Sequence, residues 1–450
     1  MSVTKRLIGV LLVAALSTSA LTPTFAADKA KTAAAPAMAL APAASPESVG
    51  FSSERLKALD AVMAKAVADG EVAGVTTLLA RHGKTVSFNT YGEAGPGRPM
   101  SKDALFRIYS MTKPITGVGM MMLFEEGKWR LDDPVTKFVP EFRNLKVFNG
   151  MGPDGKPMLV NAKRAPTMRE IMSPTAGFGY GLSDYHYVDK QFRDNGVLQS
   201  KGMTDLLNHI APIPLMFQPG DNWSYSAAVD VQGAIIERIT GKPFSQFLQE
   251  RLFNPLKMAD TFFTVPGAKV GRLGAVYNYD PASKKVLEAK QLFGVDVQDF
   301  TKPPAFESGG GGLVSSTTDY ARFAQMVVNG GELDGVRILS PASVKLMGTN
   351  VIPKNVLVGV DGRGGAGRFN EAVGFGLDFM VLTDAAKSGS LEGDGTMSWG
   401  GAAGTWFWID PTNDIIFVGM IQRFAGAPTA VDLGGVSRTM VYSALVDPKK

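Results

Sequence analysis

The sequence predicts an α/β (α+β) protein in which an antiparallel sheet is flanked by N- and C-terminal helices and carries an inserted, mostly helical subdomain. Three observations support this. Strand-like runs gather towards both ends of the chain, helical periodicity fills the middle, and a helical segment stands before the first strands and after the last. The sheet part takes residues 46–112 and 273–450, and the helical part takes 113–272. A pocket is expected in the crevice between them.

Composition narrows the function. With 450 residues, 45% of them hydrophobic and 20% charged, the chain can bury a large core. Forty-six basic against 42 acidic residues give a net charge of +4, too balanced for the clustered basic footprint of a nucleic-acid binder. The absence of cysteine removes disulfides, thiolate-bound zinc, a thiol nucleophile and a lipidated cysteine. Three histidines leave few candidates for an imidazole mechanism, and no metal-ligand cluster stands out.

In chain order, Lys5 and Arg6 precede an apolar run at 7–16, and small residues follow up to Ala26 and Ala27. This pattern reads as a cleavable signal peptide over 1–27, which implies a periplasmic or secreted protein. The run is too short for the roughly 20 residues of a membrane span, so no stable membrane insertion is expected after cleavage. Residues 28–45, rich in Ala and Pro, read as a flexible linker. Phe51-Ser52-Ser53-Glu54 opens a helix with apolar residues at Leu56, Leu59, Val62 and Met63. Residues 75–80 and 85–91 read as strands joined by the turn Arg81-His82-Gly83-Lys84. Helical segments follow to about 272, among them 235–239 and 247–253. Strands return at 374–382, 405–409 and 415–421, the last two joined through Asp410-Pro411-Thr412-Asn413-Asp414, and residues 430–446 close the chain as a helix.

The chemistry begins at Ser110-Met111-Thr112-Lys113, followed by Pro114 and an apolar helix. Proline is tolerated there only within the first helical turn, so the helix must begin at about Ser110. Positions i and i+3 share a face, which brings Lys113 within reach of the Ser110 hydroxyl. The helix N-terminus favours negative charge at that hydroxyl. These features make a candidate activated nucleophile with an amine available as base. Alone, the tetrapeptide also fits an ordinary helix-start serine with a solvated lysine.

Three further segments give it context: Trp223-Ser224-Tyr225-Ser226-Ala227, Ser308-Gly309-Gly310-Gly311-Gly312, and Trp399-Gly400-Gly401-Ala402. In this order and spacing the chain resembles the serine β-lactamase and penicillin-binding-protein-like superfamily over about residues 46–446. The branch it resembles holds class C β-lactamases, D-aminopeptidases and family VIII carboxylesterases. The resemblance implies a β-lactamase/transpeptidase-like fold and a catalytic trio of Ser110 (acylated nucleophile), Lys113 and Tyr225. It also implies an oxyanion hole from the N–H groups of Ser110 and Ala402 and a substrate-lining strand at Trp399, Gly400 and Gly401; a mechanism of this kind needs no cofactor. A phenol ordinarily ionises near pH 10 and a neighbouring ammonium favours the phenolate; whether the amine or the phenol takes the proton stays open.

Departures from the family pattern bear on substrate. Relatives commonly carry Lys where Trp399 stands and Asn where Ala227 stands, so two polar contacts to a charged, amide-bearing substrate are missing. A neutral ester needs neither. A carboxylesterase acting on small esters is therefore the first expectation. A β-lactamase or D,D-/D-amino-peptidase taking an amide is the second, and a non-catalytic cell-wall-binding relative the third. In the segment Ile171-Met172-Ser173-Pro174-Thr175-Ala176-Gly177, Pro174 replaces the usual histidine. Lys387-Ser388-Gly389 competes with Trp399-Gly400-Gly401 for the third motif, but only the latter leads directly into a strand. No G-x-S-x-G elbow occurs, which argues against a Ser-His-Asp hydrolase. Nothing in the sequence sets an oligomeric state.

Overall fold

A computed structural model describes residues 39–450, apart from 284, 293–294, 298, 354–355, 357–368, 370, 425 and 428–429. The signal peptide over 1–27 and the linker as far as residue 38 lie outside the described residues. The end of that linker is not free chain. Leu40 is buried, Thr85 N–H donates to the Ala41 carbonyl and Ala43 N–H donates to the Thr85 carbonyl, each at 2.8 Å. Backbone pairing along the neighbouring strand therefore begins before residue 45.

Among the described residues, eight strands form one antiparallel sheet. They are β1 (Gly74–Arg81), β2 (Lys84–Gly95), β3 (Arg98–Pro99), β4 (Val373–Phe375), β5 (Met380–Leu382), β6 (Met397–Gly400), β7 (Trp406–Asp410) and β8 (Ile415–Met420). Their spatial order is β4-β5-β6-β7-β8-β1-β2-β3, so β1 pairs with the chain's last strand, Thr76 opposite Met420. His82 and Gly83 both take left-handed backbone in the β1–β2 turn, the geometry that matches strand twist in a two-residue hairpin.

All eight residues of β1 are buried, because helices cover both faces of the sheet. Val75 and Leu79 point, with Trp406, Trp408, Ile415 and Phe417, into a core shared with α1 (Ser53–Ala68) and the C-terminal helix (Leu433–Ala444). The alternate residues Leu78, Ala80, Phe407, Ile409, Ile416 and Val418 face the other way, into the larger core. Period-two alternation thus persists with both faces apolar, which is why these strands read as continuous hydrophobic runs. Ser52 caps α1 by accepting the Arg55 N–H.

The larger core continues without a break into the helices. α2 (Thr112–Glu125) is buried from Thr112 to Leu123 and packs on α3 (Ala228–Thr240). α4 (Thr317–Val328) lies on β1, β7 and β8. With the C-terminal helix as α5, the terminal pair α1 and α5 covers one face and α4 the other. The helical range also holds a hairpin, Lys146–Met151 with Pro157–Asn161.

One strand expectation changes. Residues 374–382 form β4, a turn and β5 rather than a single strand. Any side chain on Gly376 would run into the Met347 carbonyl, and Asp378 takes left-handed backbone with its N–H donating to the Met172 carbonyl. Those contacts fold the run back on itself.

Candidate active site

Ser110 lies in a 3-10 turn, Tyr109–Met111, that feeds directly into α2. The turn is held from several sides. Upstream, the strand Leu105–Arg107 pairs with Val314–Ser316, and Ile108 N–H donates to the Leu313 carbonyl at 3.0 Å. From α4, the Tyr320 hydroxyl donates to the Met111 carbonyl at 3.0 Å. Pro114 is the third residue of α2, where its missing N–H costs no intrahelical bond. Tyr109 has φ of +41°, an uncommon backbone for a bulky residue. Its ring is packed against Phe300 and Phe424 at 5.7 and 5.5 Å.

The three side chains expected to act together do meet. Ser110 Oγ and Tyr225 Oη share a hydrogen bond. Lys113 Nζ stands 3.4 Å from Ser110 Oγ, donates to the Gly310 carbonyl at 2.5 Å, and lies 4.5 Å from the centre of the Tyr225 ring. Lys113 is buried.

Tyr225 is placed by backbone lacing. Ser224 N–H donates to the Pro174 carbonyl at 3.0 Å, Ala227 N–H to the Gly179 carbonyl at 3.1 Å, and Gly220 N–H to the Thr175 carbonyl at 2.9 Å. The Pro174 position thus works through its carbonyl, which proline supplies as well as any residue. The segment expected at the third motif is also at hand. Trp399 ends its ring 5.9 Å from that of Tyr225 and 5.5 Å from that of Phe375. Gly400 closes β6. Gly401 packs so tightly on the Ile108 carbonyl that a side chain would collide with it. Ala402 follows, exposed, in the turn before β7. The competing Lys387 sits exposed on a short helix, Ala385–Ser388, and pairs with Glu371 and Asp384.

The histidines make other bonds. His82 Nδ1 pairs with Asp414 at 2.7 Å between two hairpin turns, a partner that sequence reading did not find. His209 Nδ1 meets Ser200 Oγ at 2.9 Å, and His186 caps a helix by accepting the Val188 N–H. Among the described residues, no group of three His, Asp or Glu side chains could hold a metal ion.

Sequence reading missed two carboxyls beside Lys113. Asp230, on α3, is fully buried and accepts from Ser308 Oγ at 2.5 Å and from Gly310 N–H at 3.0 Å. Burial pushes its carboxyl up, against the pull of the Lys113 charge. Asp378 is buried too; burial pushes it well above the usual range, against the Gln232 hydrogen bond and the Lys113 charge. Burial likewise raises the Tyr180 hydroxyl, with the Asp230 charge adding to the effect. An acid in the first turn of α3 reads as dipole compensation, and Asp378 was hidden inside a supposed strand. The sequence held no stronger signal for either.

A family model described as Beta-lactamase matches residues 59–436. Protein Rv1367c of Mycobacterium tuberculosis is 36% identical over 364 residues, covering 79% of this chain and 86% of that protein. Esterase EstB of Burkholderia gladioli is 31% identical over 365 residues, 78% of this chain and 86% of the esterase. A solved structure described as EstCE1, a hydrolase with promiscuous acyltransferase activity, superposes with a TM-score of 0.70. It is 26% identical and covers 86% of this chain and 98% of its own.

Proposed function

The chain belongs to the β-lactamase family, and from that premise we propose that it is a serine esterase working through an acyl-enzyme on Ser110. The single observation that carries the reading is the meeting of Ser110 Oγ, Tyr225 Oη and Lys113 Nζ at one point. Ser110 Oγ attacks the ester carbonyl while its proton passes to the Tyr225–Lys113 pair. The oxyanion is held by the N–H groups of Ser110 and Ala402, a device whose loss costs about 2.7–4 kcal/mol of barrier. Collapse expels the alcohol, which takes the proton. Water then attacks the acyl-serine through the same pair, releasing the acid and restoring Ser110.

Ester over amide is supported by Trp399, which offers no charge, and by Ala227, which offers no side-chain hydrogen bond, where a lactam or peptide substrate would want both contacts. It is supported as well by the likeness to two proteins named as an esterase and a hydrolase. Lys5, Arg6 and the apolar run at 7–16 support export to the periplasm or medium. Secreted protein whose mass begins near Ala27 is the expected outcome.

Turnover of p-nitrophenyl acetate or butyrate tests the chemistry. Hydrolysis should vanish in Ser110→Ala, and intact mass should show an acyl adduct on Ser110 that clears with time. Fast nitrocefin hydrolysis without ester turnover would instead establish a β-lactamase. A wild-type Ser110 that no fluorophosphonate labels would leave only a binding role.

A further inference from the structure

Residues 308–313 cross the site as a glycine strap held between α2 and α3. From α2, Thr116 Oγ1 donates to the Gly309 carbonyl at 2.8 Å and Thr112 Oγ1 accepts the Leu313 N–H at 3.2 Å. Lys113 Nζ donates to the Gly310 carbonyl at 2.5 Å. From α3, Asp230 Oδ1 accepts both Ser308 Oγ and Gly310 N–H. Gly310 is thus gripped at its N–H by Asp230 and presents its carbonyl to Lys113. A Cβ there would lie 2.7 Å from Asp230 Oδ2 and 2.9 Å from the Tyr180 hydroxyl, so the close approach depends on glycine.

The charge arrangement is unusual. Lys113 is buried, and the partners of its Nζ are a hydroxyl, a carbonyl and two aromatic faces, those of Ser110, Gly310, Tyr180 and Tyr225. A buried ammonium without a counter-charge is costly. Asp230 Oδ2, also buried, has no hydrogen-bond partner among the described residues. The titratable groups around the pair are Tyr180 and Tyr225 from loops and Asp378 from the β4–β5 turn. Asp378 Oδ1 accepts from Gln232 Nε2 at 3.1 Å.

We propose that Asp230 is a positioning residue: through Ser308 and Gly310 it clamps the strap so that the Gly310 carbonyl holds Lys113 Nζ beside the Ser110–Tyr225 hydroxyl pair, and it supplies the negative charge that the buried ammonium needs. The hydrogen bonds of Asp230 go to Ser308 and Gly310 rather than to Ser110 or Tyr225. Asp230 acts through Lys113, and the inference rests on the Ser110 acyl-enzyme reading above.

The test compares wild type, Asp230→Asn and Ser308→Ala in the full chain. Fluorophosphonate labelling of Ser110, and kcat and KM for p-nitrophenyl butyrate, are followed from about pH 5 to about pH 9. In Asp230→Asn, labelling and kcat should fall about ten- to hundred-fold, as for loss of a hydrogen bond to a charged group, with KM little changed. Without the negative charge the cluster gives up its proton more readily, so the acid limb of the profile should also move to lower pH. Ser308→Ala keeps the charge and should show a smaller fall with the acid limb in place. Wild-type rates in Asp230→Asn overturn the proposal. So does a uniform loss with an unmoved acid limb, which a merely structural role would give. Should Asp230→Asn fail to fold, Ser308→Ala decides: slowed labelling supports the clamp and a wild-type rate refutes it. A wild-type Ser110 that resists the probe would sink the esterase reading itself, an outcome distinct from a labelled wild type matched by Asp230→Asn.

Discussion

A side chain on Gly401 would run into the Ile108 carbonyl and the Thr405 hydroxyl, whereas one on Gly400 would meet only the Thr405 carbonyl, at 3.1 Å. Ile108 is two residues before Ser110, so the collision at Gly401 falls on the backbone that leads into the proposed nucleophile. Gly401→Ala should destabilise the protein by about 1–3 kcal/mol, the usual cost of overpacking, and slow Ser110 labelling. Gly400→Ala should do less of both. Melting curves and labelling rates of the two variants check this, and equal behaviour would show that the Ile108 contact does not matter. At this scale the site was legible wherever a residue type announces its chemistry. Ser110, Lys113 and Tyr225 stood out as a hydroxyl, an amine and a phenol in a recognisable order. Asp230 and Asp378 did not, because an acid reveals its burial only when the segments around it are packed. Pro174 could not be assigned a role either, since its contribution is a carbonyl that no sequence pattern advertises.

Among the elements, α4 carries a buried acid of its own. Asp319 sits in its first turn, with its N–H on the capping Ser316 hydroxyl at 3.2 Å. Its carboxylate accepts from Asp260 N–H at 2.7 Å and Thr261 Oγ1 at 2.9 Å, tying the 259–261 loop to the helix. Asp260 in turn is gripped by Lys269 and Arg272. Burial, with the Asp260 charge adding, pushes the Asp319 carboxyl up to about 7. In the unfolded chain it ionises near its ordinary value of about 3.9. Between these values the folded state keeps a proton that the unfolded state has lost. Asp319 therefore lowers stability progressively as pH rises from about 4, and the full penalty, on the order of a few kcal/mol, applies above about 7. Asp319→Asn keeps the shape and the acceptor without the charge, so its melting temperature should gain on wild type as pH rises from 5 to 8. Parallel melting curves would show that the carboxyl does not titrate in this range. Element boundaries were readable where turn chemistry was strong, as at His82-Gly83 and Asp410–Asp414. They failed at 374–382, where the reversal is imposed by Met347 and Met172 from other elements rather than by local residues.

Across the whole molecule, one hydrophobic cluster runs from Leu206 and Leu207 in the helical range to Phe407 and Ile416 in the sheet, and a second lies beneath α1 and α5. Sequence reading separated a sheet part from a helical part because periodicity changes along the chain. It could not show that the two share a core, since that depends on which faces meet. The site inherits this continuity: Ser110 opens a helix wedged in the shared core, Tyr225 comes from the helical range, and Trp399 from the sheet. A core without a seam predicts that the helical range has no melting transition of its own. Leu206→Ala, far from the sheet in sequence, should cost about 2–5 kcal/mol, and Phe417→Ala, which breaks a ring stack with Trp408, about 3–5 kcal/mol. Both should lower a single transition, with near-ultraviolet circular dichroism and loss of ester hydrolysis moving together. If Leu206→Ala instead splits off an early step that abolishes hydrolysis while the tryptophan signal of the sheet survives, the helices form a separate unit. The position of Lys113 would then be set by α2 and α3 alone, and the sheet would contribute only the strand that carries Trp399.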